Sequence, residues 1–417
     1  MGKGDMLPAI GATEVRRAFE FTDEVVEGYP GRLTGTGSCH KAAHRIRQEF
    51  EKFCDTGSVK AEEFTSHPWS FLKYIPGLVV VYFISAVLLY FQYPWVAFAC
   101  MALSLFVFIA QFGFYWHLLD PLFPARRGLN ISGVIEPEGE VRQQVVISAH
   151  HDAAYAFQIL THCPKLYTPL MAFGVLMLVV ALLVALAASI LSLFGIALPQ
   201  WVAVVLMVAG IFELPFLFFT TSQVVPGAGD NMIAVAITAE IGRLFGEASK
   251  AGNNVLEHTR LILTSFDAEE AGLRGARAFI RTHRDWLLGT KTHALNLDTL
   301  YHLRYLAFLE RDLNSIVKLS HDMAQQCVDI ATSLGYKARV SQMSPGGGST
   351  DAAAFGEAGI DATNLAAMSF NIRDYEQGFV YHTPNDLSKY IEPGAVEAAL
   401  KIVRQYILDK DREASHK

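Results

Sequence analysis

Hydrophobic positions follow two different regimes along this chain. From about Pro76 to Trp116, and again from about Leu170 to Thr221, apolar residues run on without a period and almost without charge. The first block holds no Lys, Arg, Asp or Glu and breaks near Gln92-Tyr93-Pro94. Its two halves, of about 17 and about 21 residues, match the length needed to cross a hydrocarbon core of roughly 30 Å. The second block breaks between Gly195 and Gln200, around Pro199, and its one ionisable residue is Glu213, near the end of its stretch. Trp95, Tyr115, Trp116 and Trp201 rim the blocks, where aromatic residues favour a membrane interface. The pattern predicts four transmembrane helices in two hairpin insertions, 76–116 and 168–221. Two hairpins leave every polar segment on one side. Lys73, Arg126, Arg127 and Lys165 flank the spans on that side and the hairpin tips carry no basic residue, so the polar part is expected to face the cytoplasm.

Outside the blocks the periods are those of a folded domain. Ala42, Ala43, Ile46, Phe50 and Phe53 recur at helical spacing within 38–53. Short runs with β character, 129–134, 145–147, 261–264 and 294–297, alternate with helical stretches at 233–245, 274–284, 315–334 and 393–408. Strands alternating with helices imply an α/β domain: a mixed, largely parallel sheet flanked by helices, assembled from 1–75, 117–167 and 222–417. In such sheets ligands bind beyond the carboxyl ends of the strands.

Composition narrows the function classes. Charged residues are 18% of the chain, against roughly 25% for an average globular protein, as the two blocks require. The net charge of -7 and the lack of a Lys/Arg run exclude a nucleic-acid surface. Five dispersed cysteines, Cys39, Cys54, Cys100, Cys163 and Cys327, suggest no disulfide framework. The amino terminus has no apolar stretch of the kind a cleavable signal needs.

The candidate chemistry lies at the ends of the short runs. Ser148-Ala149-His150-His151-Asp152 follows one strand, and Phe266-Asp267-Ala268-Glu269-Glu270-Ala271-Gly272 follows another. Asn296-Leu297-Asp298-Thr299 ends a third, Pro226-Gly227-Ala228-Gly229-Asp230-Asn231 opens a helix, and Tyr381-His382-Thr383-Pro384-Asn385-Asp386 precedes the last helix. Singly, each reads as ordinary polar structure. Together they supply imidazoles and carboxylates, the donors that zinc accepts. A pair of such ions about 3.5–4 Å apart needs a shared carboxylate and several terminal ligands. Cys39, His40 and His44 share an amphipathic helix without further donors and are expected to be structural. Gly346-Gly347-Gly348-Ser349-Thr350 lacks the Lys of a phosphate loop, and Ser349 has no His/Asp partner order to make it a nucleophile.

In their order, His-x-Asp, Gly-Ala-x-Asp-Asn, Glu-Glu-x-Gly, Leu-Asp and Tyr-His-Thr-Pro-Asn-Asp resemble the co-catalytic two-zinc aminopeptidase family, which includes bacterial leucyl aminopeptidases and glutamate carboxypeptidases and is related to glutaminyl cyclases. Pro30-Gly31-Arg32-Leu33-Thr34-Gly35 and the stretch from Ser349-Thr350-Asp351 to Gly359-Ile360 extend the resemblance over nearly all the polar sequence. The resemblance implies a zinc exopeptidase fold and two Zn2+ ions. His150 and Asp298 would hold one, Glu270 and His382 the other, and Asp230 would bridge them. It further implies that Asp152 orients His150 and that Glu269 is the general base. His151 leaves a register ambiguity at His-x-Asp, and Asn231-Met232-Ile233 departs from the Ser-Gly usual after the bridging Asp. The expected activity is a membrane-anchored aminopeptidase acting on peptides, with a glutaminyl cyclase-like acyltransferase or a non-catalytic scaffold as alternatives. Phe219 and Asp230 are close enough in sequence to span at most roughly 36 Å, so the site should lie near the bilayer surface.

Overall fold

The computed structural model describes residues 7–369, 374 and 379–416. The short apolar runs become the centre of one sheet. Its strands are β1 Lys60–Ser66, β2 Arg126–Ile135, β3 Gln143–His150, β6 Thr259–Phe266, β7 Lys291–Leu300, β8 Leu306–Asp312, β9 Val317–Lys318, β10 Arg339–Gln342 and β11 Asp361–Ala367; β4 Tyr155–Phe157 and β5 Thr220–Val224 form a separate ribbon. The order across the sheet is β1-β2-β6-β3-β7-β11-β8-β10, with β9 on β8. Pairs β3/β6, β3/β7, β7/β11 and β8/β10 are parallel; β1/β2, β2/β6, β8/β11 and β8/β9 are antiparallel. The sheet is therefore mixed and parallel at its centre, as the alternation predicts.

Alternate residues of the central strands feed two cores. Val145, Ile147, Leu261 and Leu263 pack with helices Ala12–Gly28, Ile233–Lys250 and Pro393–Ser415, whereas Val146, Ile262 and Ala294 pack with Arg274–Thr282 and Ala352–Glu357. Burial on both faces is what a period-2 strand between helical layers requires. One predicted helix is shortened: 315–334 begins as β9, and the helix runs only from His321 to Ser333. The Ser320 side chain accepts the Met323 N–H and sets that start.

The apolar blocks form four helices, Ile75–Tyr90, Pro94–Gly113, Pro164–Leu193 and Gln200–Phe218. The last three are long and apolar enough to cross a membrane. The first has 16 residues, about 24 Å at 1.5 Å per residue, less than the roughly 30 Å of a hydrocarbon core. Alanines 97, 181, 185, 188 and 203 line their mutual contacts, the small-residue packing that lets apolar helices approach. Ile84, Leu183 and Phe212 are 48%, 56% and 60% exposed on the outside, so these helices present a continuous apolar surface, the kind that marks an interaction with lipid or protein. Three of the four rim aromatics are exposed, but Tyr115 is not. The chain turns inward there, and Tyr115 packs edge-on against Phe71 at 4.6 Å.

Candidate metal centre

His150, Asp298 and the Asp267–Leu273 loop sit at the carboxyl ends of adjacent parallel strands β3, β7 and β6, as in other sheets of this kind. Asp230 reaches the same place from the start of helix Ile233–Lys250. Its loop needs glycine twice: Gly227 has φ +64°, and a Cβ on Gly229 would collide with the Tyr301 ring. Asp386 holds the loop by accepting the N–H groups of Gly229 at 2.9 Å and Asp230 at 3.2 Å. Arg32, fully buried, ties it to the β3 end by donating to the carbonyls of His151, Pro226 and Gly227.

The five residues expected as ligands come together. His150 Nε2 lies 3.2 Å from Asp230 Oδ1 and 3.8 Å from Asp298 Oδ1. His382 Nε2 lies 3.0 Å from Asp230 Oδ2 and 3.2 Å from Glu270 Oε1. The two oxygens of Asp230 thus face two different imidazoles. Two donor sets sharing Asp230, His150/Asp230/Asp298 and Asp230/Glu270/His382, each converge within 4.8 Å. Despite these short distances, Asp230 Oδ2, Glu270 Oε1, Asp298 Oδ1 and His382 Nε2 are buried without an aligned hydrogen bond. Their donor atoms converge on common points and do not pair off. Buried polar atoms left unsatisfied in this way are costly, and a divalent cation on the shared carboxylate would satisfy them. Nitrogen and carboxylate oxygen are the donors that suit zinc.

The electrostatics agree. Burial pushes the Glu270 carboxyl up to about 7, and the Glu269 carboxyl well above its ordinary range, with Asp298, Glu270 and Asp351 adding repulsion. Burial alone would lower His150 and His382, but the surrounding carboxylates win; His382 rises to about 10. Burial opposes ionisation of Asp230 too, yet the two imidazoles hold it well below the usual range. Such a concentration of shifted groups marks functional sites.

Asp152 does more than orient one imidazole. It lies 3.3 Å from His150 Nδ1 and also accepts the backbone N–H of Glu269 at 3.1 Å and of Glu270 at 3.2 Å. His151 points away. Its Nδ1 meets Ser265 Oγ at 2.9 Å, and burial takes its pKa down to about 3, which leaves it neutral beside Cys39 and Asp267. Asp312 accepts from Ser349 and Thr350 and fixes the glycine loop, so Ser349 serves as an anchor. Sequence reasoning quoted Arg32, Asp351 and Asp386 inside their motifs without giving them roles. Asp351 is fully buried with neither carboxylate oxygen hydrogen-bonded, beside His150 and Asp298.

Both hairpins are rooted at this centre. β4 and β5 clamp the second, and Phe157 N–H donates to the carbonyl of His382 at 2.9 Å. At the root of the first, Asp120 takes a bidentate pair from Arg274 and a hydrogen bond from Ser70. Arg274 opens the helix that follows the Glu269–Glu270 loop.

Residues 215–407 match the family model for peptidase family M28. A protein of Arthroderma benhamiae named "Probable glutamate carboxypeptidase" is 32% identical over 75 residues, 18% of this chain; the chain spans only 10% of that protein's length. A Zn-dependent exopeptidase of Parabacteroides distasonis has the same fold (TM-score 0.56, 12% identity, 97% of this chain and 99% of that one). A glutaminyl cyclase of Bacteroides thetaiotaomicron superposes equally well (TM-score 0.57, 13% identity, 97% and 99%). The family model covers just under half of this chain, and the solved neighbours show that its fold is the one shared by zinc exopeptidases and glutaminyl cyclases. Within that fold the match of residues 215–407 is to peptidase family M28.

Proposed function

We propose that the chain is a membrane-anchored, two-zinc exopeptidase that removes amino-terminal residues from peptides. The carrying observation is Asp230, whose two oxygens face His150 and His382 separately. In this reading Asp230 would be shared by two Zn2+, with His150 and Asp298 holding one and Glu270 and His382 the other. When bound, the ions supply Lewis acidity, lowering the pKa of a water and polarising the scissile carbonyl. Glu269 accepts the proton of the attacking water and returns it to the leaving amine. Glu269 is buried among Asp298, Glu270 and Asp351, 3.9 Å from His150 Nε2. Asp152 holds the Glu269–Glu270 backbone and His150 in register. The domain division is the one read from sequence, a peptidase domain of 1–75, 117–167 and 222–417 with spans in 76–116 and 168–221. The short Ile75–Tyr90 helix packs into the bundle as the fourth span, and the basic flanks support a cytoplasmic face.

The test is hydrolysis of aminoacyl-arylamides by the purified full chain, with metal content measured alongside. Glu269→Gln should lower turnover by about 10²–10⁴ while bound zinc stays constant. Unchanged turnover at full metal content would sink the assignment. Because the cyclase fold superposes equally well, cyclisation of amino-terminal glutamine is the alternative. One ion per chain and a pyroglutamyl product would favour it.

A further inference from the structure

Two clefts lie on either side of the start of helix Ile75–Tyr90. The inner one is lined by Thr34, Leu72, Lys73, Tyr155 and Glu270, so it opens beside the metal centre. The outer one is a groove of about 400 Å³ with only apolar lining, including Val79, Val80, Phe83, Ile84 and Leu217. Its size falls in the range of small-molecule sites. Short chain segments link their linings on both sides. Lys73 lies two residues before the helix that carries Val79, and Leu217 lies four residues before Thr221, whose carbonyl accepts Lys73 Nζ at 3.2 Å. Lys73 therefore stands between groove and centre. Its ammonium sits 4.3 Å over the Tyr155 ring, the Tyr155 hydroxyl accepts the Trp69 indole N–H at 3.0 Å, and the Arg126 guanidinium lies 5.2 Å over Trp69. Among the described residues, no carboxylate pairs with Lys73 or Arg126. A partly buried cation without a counter-charge favours an anionic ligand. The outer wall, Val80, Ile84 and Val87, is 50%, 48% and 43% exposed, so the groove opens sideways, toward the bilayer in the membrane-anchored reading.

We propose that the substrate is a membrane-resident amphiphile. Its single apolar chain lies in the groove between Ile75–Tyr90 and the end of Gln200–Phe218. Its anionic group pairs with Lys73, and its peptide or amide bond is thereby delivered laterally to the centre around Asp230. This rests on the hydrolase and membrane readings above. It explains two features that hydrolysis itself does not use, an uncharged groove and an unpaired cation placed end to end.

The test uses the full chain in phosphatidylcholine nanodiscs with a diazirine-bearing hexadecanoic acid, and the matching neutral alcohol as control. Cross-links are mapped by mass spectrometry. The acid should label Val79–Leu88 and Leu217 about fivefold more than the alcohol does, the ratio expected of one partly exposed ion pair. Lys73→Met should remove that excess and Lys73→Arg restore it, while Leu217→Trp, which fills the groove, should lower labelling by both probes. Even labelling over the outer faces of all four helices, or an excess that survives Lys73→Met, would mean bulk lipid only and overturn the proposal. Labelling needs no turnover. Selective labelling without peptide hydrolysis would sink the exopeptidase reading and leave the groove standing; hydrolysis with even labelling would do the reverse.

Discussion

Phe157 meets His382 twice: its backbone N–H donates to the His382 carbonyl at 2.9 Å, and the two rings stand edge to face 4.4 Å apart. Phe157 ends β4, the strand that closes the root of the second hairpin, and it also touches Phe219 on the returning side at 4.8 Å. A predicted metal ligand is thus braced by the base of an apolar hairpin. Phe157→Leu keeps bulk but removes the ring edge. Zinc affinity should fall about 10-fold, the lower end of what supporting contacts contribute. Competition with a chromophoric chelator measures this, and excess zinc should restore hydrolysis.

Asp152 links the two halves of the centre because one carboxylate serves His150 and the Glu269 and Glu270 backbone together. An amide has only one acceptor atom, so Asp152→Asn must release part of the loop. Hydrolysis should drop about 10–100-fold, carried by kcat with little change in KM. A change confined to KM would show that Asp152 supports substrate binding and not the base.

Much of this was legible beforehand, for a physical reason. Parallel strands buried on both faces read as short apolar runs, and a sheet of that kind presents its functional loops at one end; the motifs holding His150, Glu269, Glu270 and Asp298 stood out after such runs, and the resemblance singled out those residues within them. What stayed hidden depends on packing across distant segments. Asp386 caps a loop 156 residues away, and Arg32 bridges carbonyls more than a hundred positions off; neither has a local period. Tyr115 read as a rim aromatic because its neighbours are apolar, but one turn directs it into the wall of the site. The edge strand β1, with Glu62 and Glu63 in it, carries too much charge for an alternation to stand out.

Metal removal should cost stability as well as activity. Asp152, Asp230, Glu269, Asp298 and Asp351, with the half-buried Glu270, crowd two imidazoles, and without cations their mutual repulsion is relieved only by those imidazoles and by protonation. At ligand concentrations a hundred times Kd, binding of one ion contributes about 2.7 kcal/mol, which for a chain of this size is roughly 3 °C in Tm. Chelation should lower Tm by that amount and zinc should restore it. Asp230→Ala should lose both ions and His382→Ala one, as read by inductively coupled plasma mass spectrometry.

Acid sensitivity should appear first at the root of the first hairpin, at His117. Its Nε2 lies 3.4 Å from both the Gly272 carbonyl and Arg277 Nη1. Burial takes its pKa down to about 4 from 6.5; the positive charges of Arg274 and Arg277 add to that, and Asp120 only partly opposes them. A depressed folded-state pKa means that the unfolded chain binds the proton more tightly. The stabilisation is therefore complete above pH 6.5 and is lost as pH falls through 4. The shift corresponds to at most about 3 kcal/mol. His117→Gln cannot titrate, so between pH 7 and 4.5 its Tm should fall several degrees less than that of the wild type. The comparison belongs in chelated protein, where protonation of the metal centre is common to both. Parallel Tm curves would show that His117 is already protonated in the fold, or that this root does not limit unfolding.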